Sequence, residues 1–139
     1  MVWFFITDDG FVVLGHHYGN CIYDGHTGKM TKETETYCFE EETYGFCVSS
    51  TLNGGYMCAA GMCGELLVVK VSLSEEDNRF SISFEEIFND DMLAEEGFTS
   101  VHLSADDKTV FALTDDNTIY IQSIETGVGL VRDYNRPQQ

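Results

Sequence analysis

Basic residues are scarce in this chain of 139 residues, which holds seven Lys and Arg against 24 Asp and Glu, a formal net charge of −17. The seven (Lys29, Lys32, Lys70, Arg79, Lys108, Arg132 and Arg136) are scattered and form no patch of the kind that neutralises phosphates. Nucleic acid and anionic membrane repel such a chain, so direct binding of DNA, RNA or membrane is not expected. A basic protein partner, or imitation of nucleic-acid charge, is compatible with it. Long apolar runs are lacking as well: no stretch reaches the roughly 18 residues of a membrane span. The apolar Val2–Ile6 is met at once by Asp8-Asp9 and has neither the basic flank nor the small-residue cleavage pattern of a signal peptide. Five cysteines, an odd number without disulfide-like spacing, suit a reducing compartment, so an intracellular protein, cytoplasmic or nuclear, is expected.

Catalytic motifs are missing too. There is no nucleophile elbow, no phosphate loop and no Gly-x-Gly-x-x-Gly. His16 and His17 are adjacent on an expected strand and so point to opposite faces, while Cys58 and Cys63 lack the spacing of a zinc knuckle. The Asp pairs at Asp8-Asp9, Asp90-Asp91, Asp106-Asp107 and Asp115-Asp116 belong to no calcium loop and read as turn formers. The expectation is a protein without metal or cofactor that is not an enzyme.

What is present is a core. With 43% hydrophobic and 13% aromatic residues the chain is no disordered acidic tail, and its length fits one domain. Short runs rich in Val, Ile, Phe and Tyr, punctuated by Gly, Asn and Asp, predict about twelve strands with turns every eight to twelve residues. They are Trp3–Ile6, Phe11–His17, Cys21–Gly25, Lys29–Phe39, Phe46–Ser50, Gly55–Gly61, Glu65–Leu73, Arg79–Phe88, Thr99–Ser104, Thr109–Thr114, Thr118–Ser123 and Gly129–Tyr134. Phe84–Glu96 also has a helical spacing of apolar residues, with Ser83 as a cap, but the repeat described next favours a strand followed by an acidic loop.

Val101–Ile121 aligns without a gap on Cys47–Leu67 at an offset of 54, placing Ser104 on Ser50, Asp107 on Asn53, Ala112 on Cys58 and Ile121 on Leu67. Trp3–Ile22 follows the same plan, and Thr-Gly turns recur at Thr27-Gly28 and Thr126-Gly127. Units of about 45 residues, each a four-stranded meander, carry the period of propeller blades. The units span approximately 1–44, 45–96 and 97–139 of a single β domain.

Phe98–Arg132 resembles a WD-repeat or YVTN-type propeller blade. The likeness lies in its Ser-x-Asp-x-Lys turn, its Asp-Asn-Thr turn, its Ile-Tyr-Ile strand and its Thr-Gly turn. Gln122-Ser123, Lys70-Val71 and Tyr23-Asp24 stand where the Trp-Asp pair of WD repeats would be, and no Gly-His pair precedes the first strands. The resemblance implies an all-β, partial propeller of about three antiparallel meanders. The alternative is a β-sandwich or small barrel. Three blades leave two apolar faces uncovered, so completion by a second copy or by another chain is expected.

Fourteen of the 24 acids lie in Glu33–Glu42 and Glu75–Glu96, at blade ends or connections, where loops do the binding. The candidate partner-binding residues are Glu40, Glu41, Glu42, Glu75, Glu76, Asp77, Glu85, Glu86, Asp90, Asp91, Glu95 and Glu96, with Phe88 and Met92 as apolar anchors. Two functions follow: a non-catalytic protein–protein interaction module that recognises a basic surface, or an acidic inhibitor, viral in one version, that imitates nucleic-acid charge.

Overall fold

The computed structural model describes residues 2–16, 19–30, 43–76, 79–90, 93–94, 96–126 and 129–133, and within these it contains strands, turns and bends but no helix. Eleven strands run in chain order: β1 Val2–Ile6, β2 Phe11–His16, β3 Gly19–Asp24, β4 Thr43–Val48, β5 Tyr56–Gly61, β6 Leu66–Glu76, β7 Arg79–Asp90, β8 Phe98–Leu103, β9 Thr109–Thr114, β10 Thr118–Ser123 and β11 Gly129–Asp133. They form three antiparallel meanders: a three-stranded sheet β1-β2-β3, a four-stranded sheet β4-β5-β6-β7 and a four-stranded sheet β8-β9-β10-β11. The protein is all-β and propeller-like, and among the described residues the three sheets do not close into a ring. The first sheet gains one more bridge, Tyr23 to Met30; the rest of the expected strand Lys29–Phe39 lies outside the described residues.

The turns explain why the meanders form. Backbone N–H groups of Gly10, Gly55 and Asp107 donate to the carbonyls of Thr7, Leu52 and Ser104, closing the first hairpin of each sheet. Gly64, at the second turn of the middle sheet, has φ +83, and a Cβ there would lie 1.9 Å from the Ala94 carbonyl oxygen, so only glycine fits.

Two cores hold the sheets together, and the middle sheet serves both. Val13 and Ile22 of the first sheet pack with Phe46, Met57, Leu67, Val69 and Val71. The alternate residues of the same strands, Cys58, Ala60, Leu66 and Val68, pack with Val101, Val110 and Ala112 of the third sheet. The run Leu66-Leu67-Val68-Val69 is therefore buried on both faces, and its side chains are at most 4% exposed. The first strands lie nearest one another: β8 contacts β4 and β5, and β4 contacts β1 and β2. At Gly45 a Cβ would stand 2.9 Å from the Ser100 carbonyl carbon and the Val101 nitrogen, so β8 crosses directly over β4.

The middle and third sheets match, with one difference from the gapless offset of 54. The Ser49 and Ser104 N–H groups donate to the Tyr56 and Thr109 carbonyls, and their hydroxyls accept the Tyr56 and Thr109 N–H groups. The first turn is thus two residues longer in the middle sheet, and the offset is 55 before it and 53 after it. The bulges agree, falling between Thr43 and Gly45 and between Phe98 and Ser100. The second turns are equal in length, the Gly64 N–H donating to the Gly61 carbonyl as the Asn117 N–H does to that of Thr114, so Tyr120, not Ile121, is the counterpart of Leu67. The stacking sense is kept. Thr7, Ser49 and Ser104 hold the same place in the three first hairpins, which makes Val13, Cys58 and Phe111 counterparts. Val13 faces the middle sheet, Cys58 faces onward to the third, and Phe111 lies on the outer face of the third sheet, as in successive blades.

Candidate interaction surfaces

β6 and β7 form a hairpin of 11 and 12 residues, about twice the length of β4 and β5. Alternation along it places Leu73, Ile82 and Phe84 against the first core, while Ser72, Ser74, Ser81 and Ser83 are exposed; the Ser74 and Ser81 hydroxyls hydrogen-bond across the strands at 2.7 Å. Near its other end the register shifts between Val68 and Val69: Val69 faces Glu86 and Val68 faces Phe88, leaving Ile87 as the extra residue. This bulge puts Phe84 against one core and Phe88 against the other.

The structure gathers part of the acidic set on this hairpin. Glu85 and Glu86 are exposed on β7, the outermost strand of the middle sheet, and Glu85 stands opposite Lys70 in the ladder. Asp90 closes the strand opposite Leu66 and is half-buried. Glu75 and Glu76 lie at the far end of β6, their backbones paired with Phe80 and Arg79. Glu96 is exposed on the connection to β8. Phe88 is half-buried on the second core, as is Leu93, so its ring is packed inward. Glu40, Glu41, Glu42, Asp77, Asp91, Met92 and Glu95 lie outside the described residues. The described acids of the second segment thus sit mainly on strands; the periodicity of β6 and β7, which continues past the ends of β4 and β5, is the signal that marks them as strand residues.

Other carboxylates work locally. Asp24 accepts the His26 N–H, Asp106 the Lys108 N–H and Asp116 the Thr118 N–H, each within its own turn. These hydrogen bonds hold all three below the usual carboxylate range: for Asp24 chiefly the His26 N–H, for Asp106 the Ser104 hydroxyl, for Asp116 the Thr114 hydroxyl. Asp116 also lies beside Glu96 in a shallow depression bordered by Ala94, Thr114, Thr118 and Tyr120. Asp9 reaches further. Its two oxygens accept the N–H groups of Leu52 and Asn53, each at 3.0 Å, and Asn53 Oδ1 accepts the Leu73 N–H at 3.0 Å. Burial works to raise the Asp9 carboxyl, but the hydrogen bonds from Asn53, Thr7 and Leu52 together outweigh it and hold the group below its ordinary value. Burial pushes the Cys58 thiol well up, and its directly opposed, hydrogen-bonded neighbour Cys47 adds to the shift, which disfavours the thiolate of Cys58 and makes it a packing residue. Among the described residues no three His, Cys, Asp or Glu side chains converge as metal ligands would.

A second kind of surface was not singled out by the sequence. The outer face of the first sheet carries Phe4, Leu14 and Cys21 in one cross-strand row and Ile6, Val12, Tyr23 and Met30 in the next. Phe4 is 60% exposed, Ile6 70% and Met30 49%, and neither row contains a charged residue. The outer face of the third sheet bears Phe111, Leu113, Ile119 and Ile121, all half-buried. In the sequence each strand is an apolar run, and only the pairing of the strands lines up the rows.

Comparison with known proteins gives no match to a family model and none to a curated protein. Among solved structures, the chain is similar to the β-propeller domain of Cps50 (Swd1) from Myceliophteria thermophila, with 12% identity and a TM-score of 0.38 over 82% of this chain and 48% of that one. The chain spans about half the length of that neighbour.

Proposed function

We propose that this protein is a non-catalytic, intracellular interaction module that binds a basic protein surface through its acidic hairpin and connections, and that it works as a homo-oligomer or completed by another chain. The observation that supports the reading best is Glu85 and Glu86, consecutive and both exposed on the outer strand of a sheet whose two faces are already occupied. That sheet is fixed in place by two cores, so the carboxylates on its rim are presented on a rigid support. An acidic rim of this kind speeds encounter with a basic partner and makes the complex sensitive to salt.

Capture of partners from lysate at low and high salt tests the proposal. The expected result is a basic partner released by salt and indifferent to added nucleic acid. Replacing Glu75, Glu76, Glu85, Glu86 and Asp90 with their amides is expected to weaken capture at least about tenfold. Undiminished capture by that variant would remove the electrostatic reading. A partner that is itself a nucleic-acid-binding protein and is displaced by DNA or RNA would instead favour the charge-mimicking inhibitor.

A further inference from the structure

Two apolar faces remain without a role in the reading above, one on the first sheet and one on the third. Phe4 and Ile6 project from β1 at 60% and 70% exposure, beside the half-buried Val12 and Leu14 of β2. The outer face of the third sheet bears Phe111 and Leu113 of β9 and Ile119 and Ile121 of β10, all half-buried. None of these side chains belongs to either core. Contiguous apolar faces of this kind mark interaction sites.

We infer that the Phe111 face of one copy docks on the Phe4 face of a second, head to tail, and that two copies close a ring of six sheets. The inference rests on the oligomeric part of the function proposed above and assigns it to two faces. The joint it needs is one that the chain already makes twice. Val13 and Ile22 of the first sheet cover Phe46 and Met57 of the middle sheet, and Cys58 and Val68 of the middle sheet cover Val101 and Val110 of the third. The turn hydrogen bonds and strand register make Phe111 and Ile121 the counterparts of Val13 and Ile22, and of Cys58 and Val68. They likewise make Phe4 and Val12 the counterparts of Phe46 and Met57, and of Val101 and Val110. The two free faces are therefore the two unlike halves of one repeated joint. A second copy supplies to each the half that it lacks, which is a heterologous contact, and such contacts generate rings when the rotation closes. Two copies of three sheets give six, within the four to eight blades of closed propellers.

Area favours the closed pair over an open chain of copies. A face of three or four strands measures about 14–19 by 17–20 Å, so a single joint is smaller than a specific interface. The two joints of a ring together bury about 1,200 Å², where the range of specific interfaces begins. One partner gives both joints in the ring, whereas an open chain adds one joint for each further copy. Charge sets the conditions. Each copy carries −17, and the repulsion between copies is screened over roughly 8 Å at physiological salt. Salt therefore strengthens this association, whereas it weakens binding of a basic partner.

Sedimentation equilibrium of the purified full chain, at low salt and at about 0.5 M NaCl and up to about 100 µM, is the test. The mass is expected to rise from 15.6 kDa towards twice that value and no further, and more so at high salt. Ile6→Lys and Ile121→Glu lie on opposite halves of the joint, and the counterparts of these positions share a core within one copy: Val48 with Ile22, and Leu103 with Val68. Each substitution puts a charge into both joints and is expected to weaken the dimer at least about tenfold, with unchanged far-UV circular dichroism. Phe4→Lys and Phe111→Glu repeat the test on the same two faces. Mixed in equal amounts, the Ile6→Lys and Ile121→Glu chains are expected to associate again. One joint of the mixed ring is then wild type on both sides, and the other sets an ammonium against a carboxylate. Contact between like faces gives no such recovery. A wild-type chain that stays monomeric at high salt overturns both the inference and the homo-oligomeric reading. A dimer that survives both substitutions, or that mixing does not restore, overturns these faces alone and leaves oligomerisation to another surface. A mass that climbs past the dimer with concentration overturns the ring.

Discussion

Asp9 shows what a single residue can do that its neighbours in the chain do not reveal. From the sequence, Asp8-Asp9-Gly10 is a turn, and the structure places a turn there, closed by the Gly10 N–H on the Thr7 carbonyl. Local chemistry explains that much, since Asp and Gly favour such turns. The carboxylate, however, serves the backbone of Leu52 and Asn53, 43 and 44 residues away, and joins the first sheet to the second. No local pattern announces a partner at that distance. Asp9→Ala leaves the part-buried Leu52 N–H and the exposed Asn53 N–H without their acceptor and is expected to cost about 1–2 kcal/mol in urea unfolding, several times the cost of Asp8→Ala. The pH dependence has a definite sign. The folded group lies below its ordinary value, so its contribution is complete above the unfolded carboxylate pKa of about 3.9 and is lost as pH falls through the lowered folded value. The gap between wild type and Asp9→Ala should therefore be full at neutral pH and close in strong acid. Equal stabilities at neutral pH would show that the bridge carries nothing.

At the level of elements, strand existence was legible and strand environment was not. Period-two alternation and turn residues located the strands of all three meanders. The helical spacing of Phe84, Ile87 and Phe88 comes from another cause: the bulge at Ile87 shifts the phase of the strand, so that Phe84 and Phe88 enter different cores. A bulge depends on the partner strand, and the sequence of β7 alone cannot distinguish it from a helical face. Similarly, Leu66-Leu67-Val68-Val69 has no alternation because both of its faces are covered. The close crossing of β8 over β4 gives a prediction for this scale. Gly45→Ala places a methyl group 2.9 Å from the backbone of Ser100 and Val101, which no rotamer relieves. It is expected to cost at least about 2 kcal/mol and to loosen the third sheet from the second, read as faster amide exchange at Val101 and Ala112 in hydrogen-exchange mass spectrometry. Exchange accelerated equally in Val13 and Ile22 would mean that the two cores unfold as one unit.

For the whole molecule, composition fixed the sign of the electrostatics while packing decided where it is felt. The repeat period predicted three meanders and two uncovered apolar faces. It did not predict that the first turn of the middle sheet is two residues longer, because a gapless alignment absorbs such a difference by placing Cys58 on Ala112, residues that face opposite ways in the two blades. Nor could it separate the two surfaces that the folded chain keeps apart: an acidic rim on β7 and an uncharged face on β1, β2 and β3. Their separation means that salt acts on the molecule in two directions. With −17 on 139 residues the native state bears a self-repulsion that the expanded chain relieves. Raising NaCl from about 10 to 200 mM shortens the Debye length from roughly 30 to 7 Å, so the melting temperature is expected to rise by a few degrees, while capture of a basic partner declines over the same interval. The amide variant of the β6–β7 hairpin should melt higher than wild type at low salt and converge with it at high salt, because the repulsion it removes is the repulsion that salt screens. If its advantage persisted at high salt, the acids of the hairpin would be destabilising through local desolvation or strand pairing, and the long-range field would not be the term that limits this fold.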